Sequence, residues 1–191
     1  MDSKQLERLA YHEAGHAVMA WLCGLSVSEV FIGESGGKVS HEQSEALQDA
    51  LIGAAGFAAE VLCIGEPWWP GSHTDARMLS DVTEREPRLN EIRREVLLRY
   101  SHYSAYADLG IPERYFLAFR ILAEHVLSQH WQDLAELAQA LREQGKLEDV
   151  SCWLGERSPH GGRLALPPPK SARQWLTAPS EVIDWLTRPL A

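Results

Sequence analysis

Leu6-Glu7-Arg8-Leu9-Ala10-Tyr11-His12-Glu13-Ala14-Gly15-His16-Ala17-Val18-Met19-Ala20-Trp21-Leu22 is the stretch that decides how this chain folds. Leu6, Leu9, Ala10, Ala17, Val18, Trp21 and Leu22 recur at three- and four-residue steps. That is the period of one helix face, so a helix is expected from about residue 3 to about residue 23, with Gly24 as its stop. His12 and His16 stand at i and i+4 on that helix, with Cβ atoms roughly 5–6 Å apart. Two imidazoles so spaced can reach one metal ion at about 2.0–2.1 Å. Glu13 follows the first histidine and points beside the metal rather than at it. There its carboxylate can take a proton from a water that the metal has acidified. The plain alternative is a pair of unrelated histidines on an ordinary helix. The clean helical setting of the HExxH pattern favours the metal.

A catalytic zinc site keeps three protein ligands and one open position, so a third ligand must come from elsewhere. His41, Glu60, His73, Asp75 and Asp81 are the candidates. Asp75 stands at an expected helix start, where the helix dipole favours a carboxylate. The same place suits a simple first-turn aspartate, and His73, two residues away, is the chief rival.

Working outward, Val27, Val30, Phe31 and Ile32 read as a strand that Lys38-Val39-Ser40 returns, forming a hairpin or small sheet. A second helix is expected from about Glu42 to Ile64. Its middle, Gly53-Ala54-Ala55-Gly56-Phe57-Ala58-Ala59-Glu60, is unusually small. Glycine costs about 1 kcal/mol in a helix relative to alanine, and close approach to Ala14, Gly15 and Ala17 is the expected reason. Gly65 to Gly71 reads as a rigid loop, after which Ser72 or Thr74 can cap a helix from about Asp75 to Glu84. Pro87 separates this from a helix at about 89–103. A long amphipathic helix is expected from about Pro112 to Gln144, ended by Gly145. The expected organisation is a domain over 1–154 and a Pro/Gly-rich extension over 155–191, with a short helix at Ser180 to Leu186. The fold class is mainly α with a small β-hairpin or sheet near the cleft.

With 191 residues, 45% of them hydrophobic, the chain is long enough for one domain with a core. A net charge of -9 argues against a phosphate-backbone binder, so no nucleic-acid partner is expected. Cys23, Cys63 and Cys152 are odd in number and form no CxxC pair. A reducing compartment fits them better than a disulfide framework. No signal-peptide core is seen, and no stretch reaches the roughly 18–20 apolar residues of a membrane span. The expectation is a cytoplasmic protein without membrane insertion. Trp68 and Trp69 read as a core lid before a substrate wall, Cys23 as a small buried hydrophobe, and Tyr100, Tyr103 and Tyr106 as packing residues. Trp175 and Trp185 could dock on the domain, a second copy or a protein partner.

Ala10-Tyr11-His12-Glu13-Ala14-Gly15-His16-Ala17 resembles the zinc-site helix of the FtsH-type ATP-dependent proteases. Gly56-Phe57-Ala58-Ala59-Glu60-Val61 resembles that family's small-residue helix, usually written GGRAAE. Ser72-His73-Thr74-Asp75 falls where the family has a turn ending in its third ligand, an aspartate. Leu122-Ala123-Glu124, Leu134, Leu137, Ala138, Leu141 and Gly145-Lys146-Leu147 resemble its closing helix. The resemblance covers about residues 5 to 150. It implies a helical zinc-peptidase domain holding one zinc ion. His12, His16 and Asp75 would be the ligands and Glu13 the catalytic base. It also implies a strand region at 27–40 beside the cleft that can pair with an extended substrate. Glu60 is read either as an orienting partner of a histidine ligand or as a core capping group.

The chain departs from that family's pattern: no membrane anchor is seen, and the Pro67-Trp68-Trp69-Pro70 loop reads as an addition. It contains no GxxxxGK[ST] loop, the turn before Asp75 reads Gly-Ser-His-Thr, and Gly33 to Ser40 is shorter than the family's glycine-rich loop. The substrate expected without a motor is therefore a peptide or an already unfolded segment. The leading expectation is a stand-alone zinc metallopeptidase. The alternative is a catalytically inactive, zinc-bound interaction or regulatory module.

Overall fold

Helix α1 (Ser3–Leu22) begins at a reciprocal cap. The Asp2 carboxylate accepts from the Gln5 backbone N–H at 2.8 Å, and the Gln5 side-chain oxygen accepts from the Asp2 N–H at 3.0 Å. From Ala10 to Leu22 every residue except Tyr11 is buried. A helix buried on all sides must have neighbours on all sides. Those neighbours are α2 (Ala46–Ile64), α5 (Trp131–Gln144) and the strands β1 (Val27–Gly33) and β2 (Gly36–His41). Around this centre stand α3 (Leu89–Arg99), α4 (Ile111–Gln129), β3 (Lys146–Glu148), α6 (Val150–Arg157) and α7 (Pro179–Leu186). The computed structural model describes residues 1–65, 84–100, 111–158 and 179–187, with positions 75, 79, 81 and 82 between them. The expectations for Trp68, Trp69, Tyr103, Tyr106 and Trp175 lie outside the described residues, as does the side chain of Trp185. The architecture is mainly helical with one small antiparallel sheet.

The α1–α2 contact is as close as the small residues predict. A Cβ on Gly15 would stand 2.5 Å from the Ala55 carbonyl oxygen and 2.7 Å from the Ala59 Cβ. Helix α2 starts at Ala46, later than the expected Glu42, because the hairpin end claims Glu42. The Glu42 N–H donates to the Ser26 carbonyl at 3.0 Å, and its carboxylate accepts from the Ser26 N–H at 3.0 Å.

The expectation that no stretch is apolar enough to span a membrane needs correction. By length and composition α2 qualifies, with 19 residues and a mean hydropathy of 1.5 over its best window. Some 67% of that window is buried inside the protein, against α1 and α4. Its apolarity comes chiefly from Leu47, Leu51, Ile52, Phe57, Val61, Leu62 and Ile64, with the alanines of the close helix contact adding to it.

The sheet runs β2-β1-β3, so β1 is central and the expected hairpin gains a third strand. Val30 pairs with Val39 on one side and with Leu147 on the other. Gly145-Lys146-Leu147, read above with a closing helix, is instead a left-handed helix cap followed by β3. A three-residue strand carries too little pattern to announce itself. Val27 and Val30 are both buried at a spacing of three, which strict alternation forbids; a bulge between Val27 and Glu29 restores the register.

The long helix expected over 112–144 is two helices. His130, with φ −113° and ψ 30°, breaks the chain between α4 and α5 without glycine or proline. Its Nδ1 donates to the buried Asp133 carboxylate at 3.2 Å, which also accepts from the Ser158 hydroxyl at 3.1 Å. The break is held by this local i,i+3 contact together with Ser158, which reaches Asp133 from 25 residues away. At the C-terminal end α6 continues through Arg157. Helix α7 buries Val182, Ile183 and Leu186 against α3 and α4, and Arg99 donates to Asp184.

Candidate metal centre

Helix α1 delivers His12, Glu13 and His16, all buried, to the face where α2 crosses it. The short step from His12 to His16 aims both Nε2 atoms at one point, 3.0 Å from each other. Asp75 enters from the segment after α2, and its Oδ2 stands 3.1 Å from His12 Nε2 and 3.5 Å from His16 Nε2. The three donor atoms lie within 4.8 Å of one another, and this group could hold a metal ion. Of the other proposed third ligands, His41 donates its Nδ1 proton to the Glu42 carbonyl at 2.6 Å, and Asp81 is exposed. His73 lies outside the described residues.

The hydrogen bonds on the far side of each imidazole fix its tautomer. His16 Nδ1 is 2.6 Å from the Ile52 carbonyl, which can only accept, so Nδ1 carries the proton. His12 Nδ1 is 2.7 Å from the Glu60 carboxylate and donates to it in the same way. In the neutral rings both Nε2 atoms are then bare lone pairs. They face each other and a carboxylate oxygen, an arrangement of three acceptors that only a positive charge relieves.

Without a metal, that charge is a proton. Burial works against a charged His12, but hydrogen bonds to Asp75 and Glu60 overcome it and lift its pKa to about 10. Burial alone would raise Asp75. The charge on His16 and the hydrogen bonds to both histidines overturn this and hold the carboxyl far below its usual range. A metal ion would replace the proton and use the same attraction.

Glu13 is set apart from the three donors. Burial raises its carboxyl above the usual carboxylate range, while the nearby His16 and His12 pull it back. Strand β2 lies against it: a Cβ on Gly37 would come within 2.5 Å of Glu13 Cδ and Oε1. On the α2 side, a Cβ on Gly56 would stand 2.5 Å from His16 Nε2 and 2.7 Å from His12 Cε1 and Nε2. The ring of Phe57 packs edge-on to His12, centroids 5.0 Å apart, and Phe116 braces it from behind at 4.7 Å. Glu60 holds its second oxygen 3.6 Å from Arg8 Nε. A cleft of about 810 Å³ opens over the cluster, lined on its rim by Gln5, Arg8, Glu34, Lys38 and Val39.

His12, His16 and Asp75 are thus brought together as the sequence suggested, with Glu13 beside them. Glu60, left between two roles, is the partner that orients His12. The Ile52 carbonyl was missed, since a backbone group carries no sequence signal. Gly37 was missed because nothing in a hairpin's glycine says which side chain lies beneath it. Tyr100 packs on His125, centroids 5.0 Å apart, as a structural residue. No protein-family model matches the chain, and neither does any curated protein, so the reading of this centre rests on its own geometry.

Proposed function

We propose that this chain is a stand-alone zinc metallopeptidase that hydrolyses peptide bonds in peptides or unfolded segments. The observation that carries the proposal is the convergence of His12 Nε2, His16 Nε2 and Asp75 Oδ2, with both Nδ1 atoms committed elsewhere. Zinc ligands at about 2.0–2.1 Å in a tetrahedron stand about 3.3–3.4 Å from each other. The separations here, 3.0, 3.1 and 3.5 Å, straddle that value. Two imidazoles and one carboxylate are also the donor set of open catalytic sites. The likeness of 10–17 and 56–61 to the FtsH-type peptidase helices supports the same reading.

Zinc in such a site supplies a Lewis acid that lowers the pKa of water from about 15.7 to about 7 and polarises a carbonyl. The chain's own groups do the rest. Glu60 and the Ile52 carbonyl hold the two imidazoles in the ligating tautomer. Glu13 takes a proton from the attacking water as its oxygen bonds to the scissile carbonyl carbon. It then gives that proton to the leaving nitrogen as the C–N bond breaks. Burial raises its carboxyl above the usual carboxylate range, the direction that a group which both takes and gives a proton needs. Strand β2 is an edge strand, and Gly36, Gly37, Lys38 and Val39 line the cleft. An extended peptide can add to that edge through backbone hydrogen bonds, with little demand on its sequence.

The test compares zinc-loaded wild type with Glu13→Gln on an unstructured peptide. Expected are about one zinc per chain in both and at least about a 100-fold loss of kcat in the variant. Equal cleavage by both, or none by either, refutes the proposal. Stoichiometric zinc without cleavage would mark the chain as a non-catalytic module.

A further inference from the structure

The two imidazoles of the centre are held by supports of different kinds. His16 Nδ1 donates to the Ile52 carbonyl at 2.6 Å, and that oxygen belongs to the backbone of α2. It shifts only if the helix shifts. His12 Nδ1 donates to the Glu60 carboxylate at 2.7 Å, which stands at the end of a long side chain with several rotatable bonds. A carboxylate held through one oxygen can swing about that hydrogen bond and carry the ring with it. Its other oxygen, Oε2, faces the guanidinium of Arg8, with Nε 3.6 Å away. At that length the contact is an ion pair rather than a hydrogen bond.

Arg8 and His12 are four residues apart on α1, so both side chains leave the same face of the helix. Glu60 comes to them from α2, next to Ala59, where α2 touches α1 at Gly15. One carboxylate therefore spans two groups of α1, and three residues close a ring across the two helices. The ring is largely out of water: the Glu60 side chain is 5% exposed and that of Arg8 26%. Ion pairs on an open surface contribute little, whereas taking one partner from a buried carboxylate is costly.

We infer that Arg8 is a positioning residue of the metal centre. By holding the far oxygen of Glu60 it fixes the plane of that carboxylate, and so the direction in which His12 Nε2 points. Arg8 thus gives His12 the rigidity that His16 takes from the α2 backbone. The inference rests on the metal-binding half of the function proposed above and not on peptide cleavage.

Chelator competition and the visible spectrum of the cobalt-substituted full chain test this. Cobalt(II) reports ligand geometry through its d–d bands, which an ion pair that only stabilised the fold would leave unmoved. Arg8→Gln should bind zinc about tenfold more weakly than wild type, the lower end of the loss caused by removing a ligand's supporting partner, and should shift the cobalt bands. Arg8→Lys keeps the charge on a more flexible stem, should shift the bands by less, and is read in the same way should Arg8→Gln not fold. Arg8→Gln combined with Glu60→Gln should bind zinc within about threefold of Glu60→Gln alone, because both changes cut the same chain of contacts. Zinc affinity within about threefold of wild type, with unmoved bands in both Arg8 variants, overturns the inference. So does a further loss of about tenfold when Arg8→Gln is added to Glu60→Gln. Wild type that binds neither metal removes the metal centre and the inference with it. The expected responses without peptide cleavage remove the peptidase reading and leave the role of Arg8 standing.

Discussion

Gly56→Ala separates the metal centre from the stability of the fold. The new Cβ would lie 2.5 Å from His16 Nε2 and 2.7 Å from His12 Nε2, the two atoms that would ligate the metal. A relaxed carbon–nitrogen contact needs about 3.5 Å, so both ring tips must retreat by roughly 0.8–1 Å. Metal sites tolerate only about ±0.2 Å in ligand distance. The two ligands cannot recover by rotating, because Glu60 and the Ile52 carbonyl pin their Nδ1 atoms at 2.7 and 2.6 Å. Zinc affinity should therefore fall by at least about 100-fold, the upper end of what loss of a ligand's orienting partner causes. The fold loses much less. Overpacking by one methyl costs about 1–3 kcal/mol, and the better helix propensity of alanine returns about 1 kcal/mol. Competition with a chromophoric chelator reads the affinity, and thermal unfolding of the metal-free protein reads the stability. Zinc binding by Gly56→Ala within about threefold of wild type would refute the steric clash, and so would a metal-free variant that does not fold.

Three further outcomes are expected. Glu60→Gln keeps the shape but removes the charge opposite His12 Nδ1, so zinc affinity should drop about 10–100-fold; a chelator titration indistinguishable from wild type would deny Glu60 its orienting role. In metal-free protein, His12 has a pKa of about 10 against an ordinary 6.5, so the folded state holds its proton more tightly than the unfolded chain. That contribution is full below pH 6.5 and is lost as pH rises towards about 10, whereas the contribution of Asp75, depressed from 3.8, is lost as pH falls below that value. Melting temperatures of chelated protein should thus decline from pH 6 to pH 10, and a flat profile would contradict the paired charges. Finally, burial pushes the Cys23 thiol up to about 12, leaving roughly one thiolate in ten thousand at pH 8. Native-state labelling should modify the exposed Cys152 and spare Cys23, and comparable rates would show that α1 opens at its C-terminal end.

Much of this centre is written locally. His12, Glu13 and His16 lie within one and a half turns, so the helix period alone puts both imidazoles on one face. The Gly53–Glu60 run announces close helix packing because glycine and alanine inside a helix need a reason. Relations within about twenty residues therefore fix α1, α2, the hairpin and two of the three side chains that could hold a metal ion. The sequence by itself also nominated Asp75, but it had no means of choosing between Asp75 and its rivals. That choice depends on where the chain after α2 returns to α1. The tertiary structure alone decided that Asp75 closes the cluster, that Glu60 and the Ile52 carbonyl set the tautomers, and that Gly37 lies over Glu13. It also decided that His130 splits one expected helix into two, and that Leu147 adds a strand. Apart from the local contact of His130 with Asp133, each of these depends on atoms far apart in the chain that meet only when the helices pack, and packing leaves no periodic mark at the residues it joins.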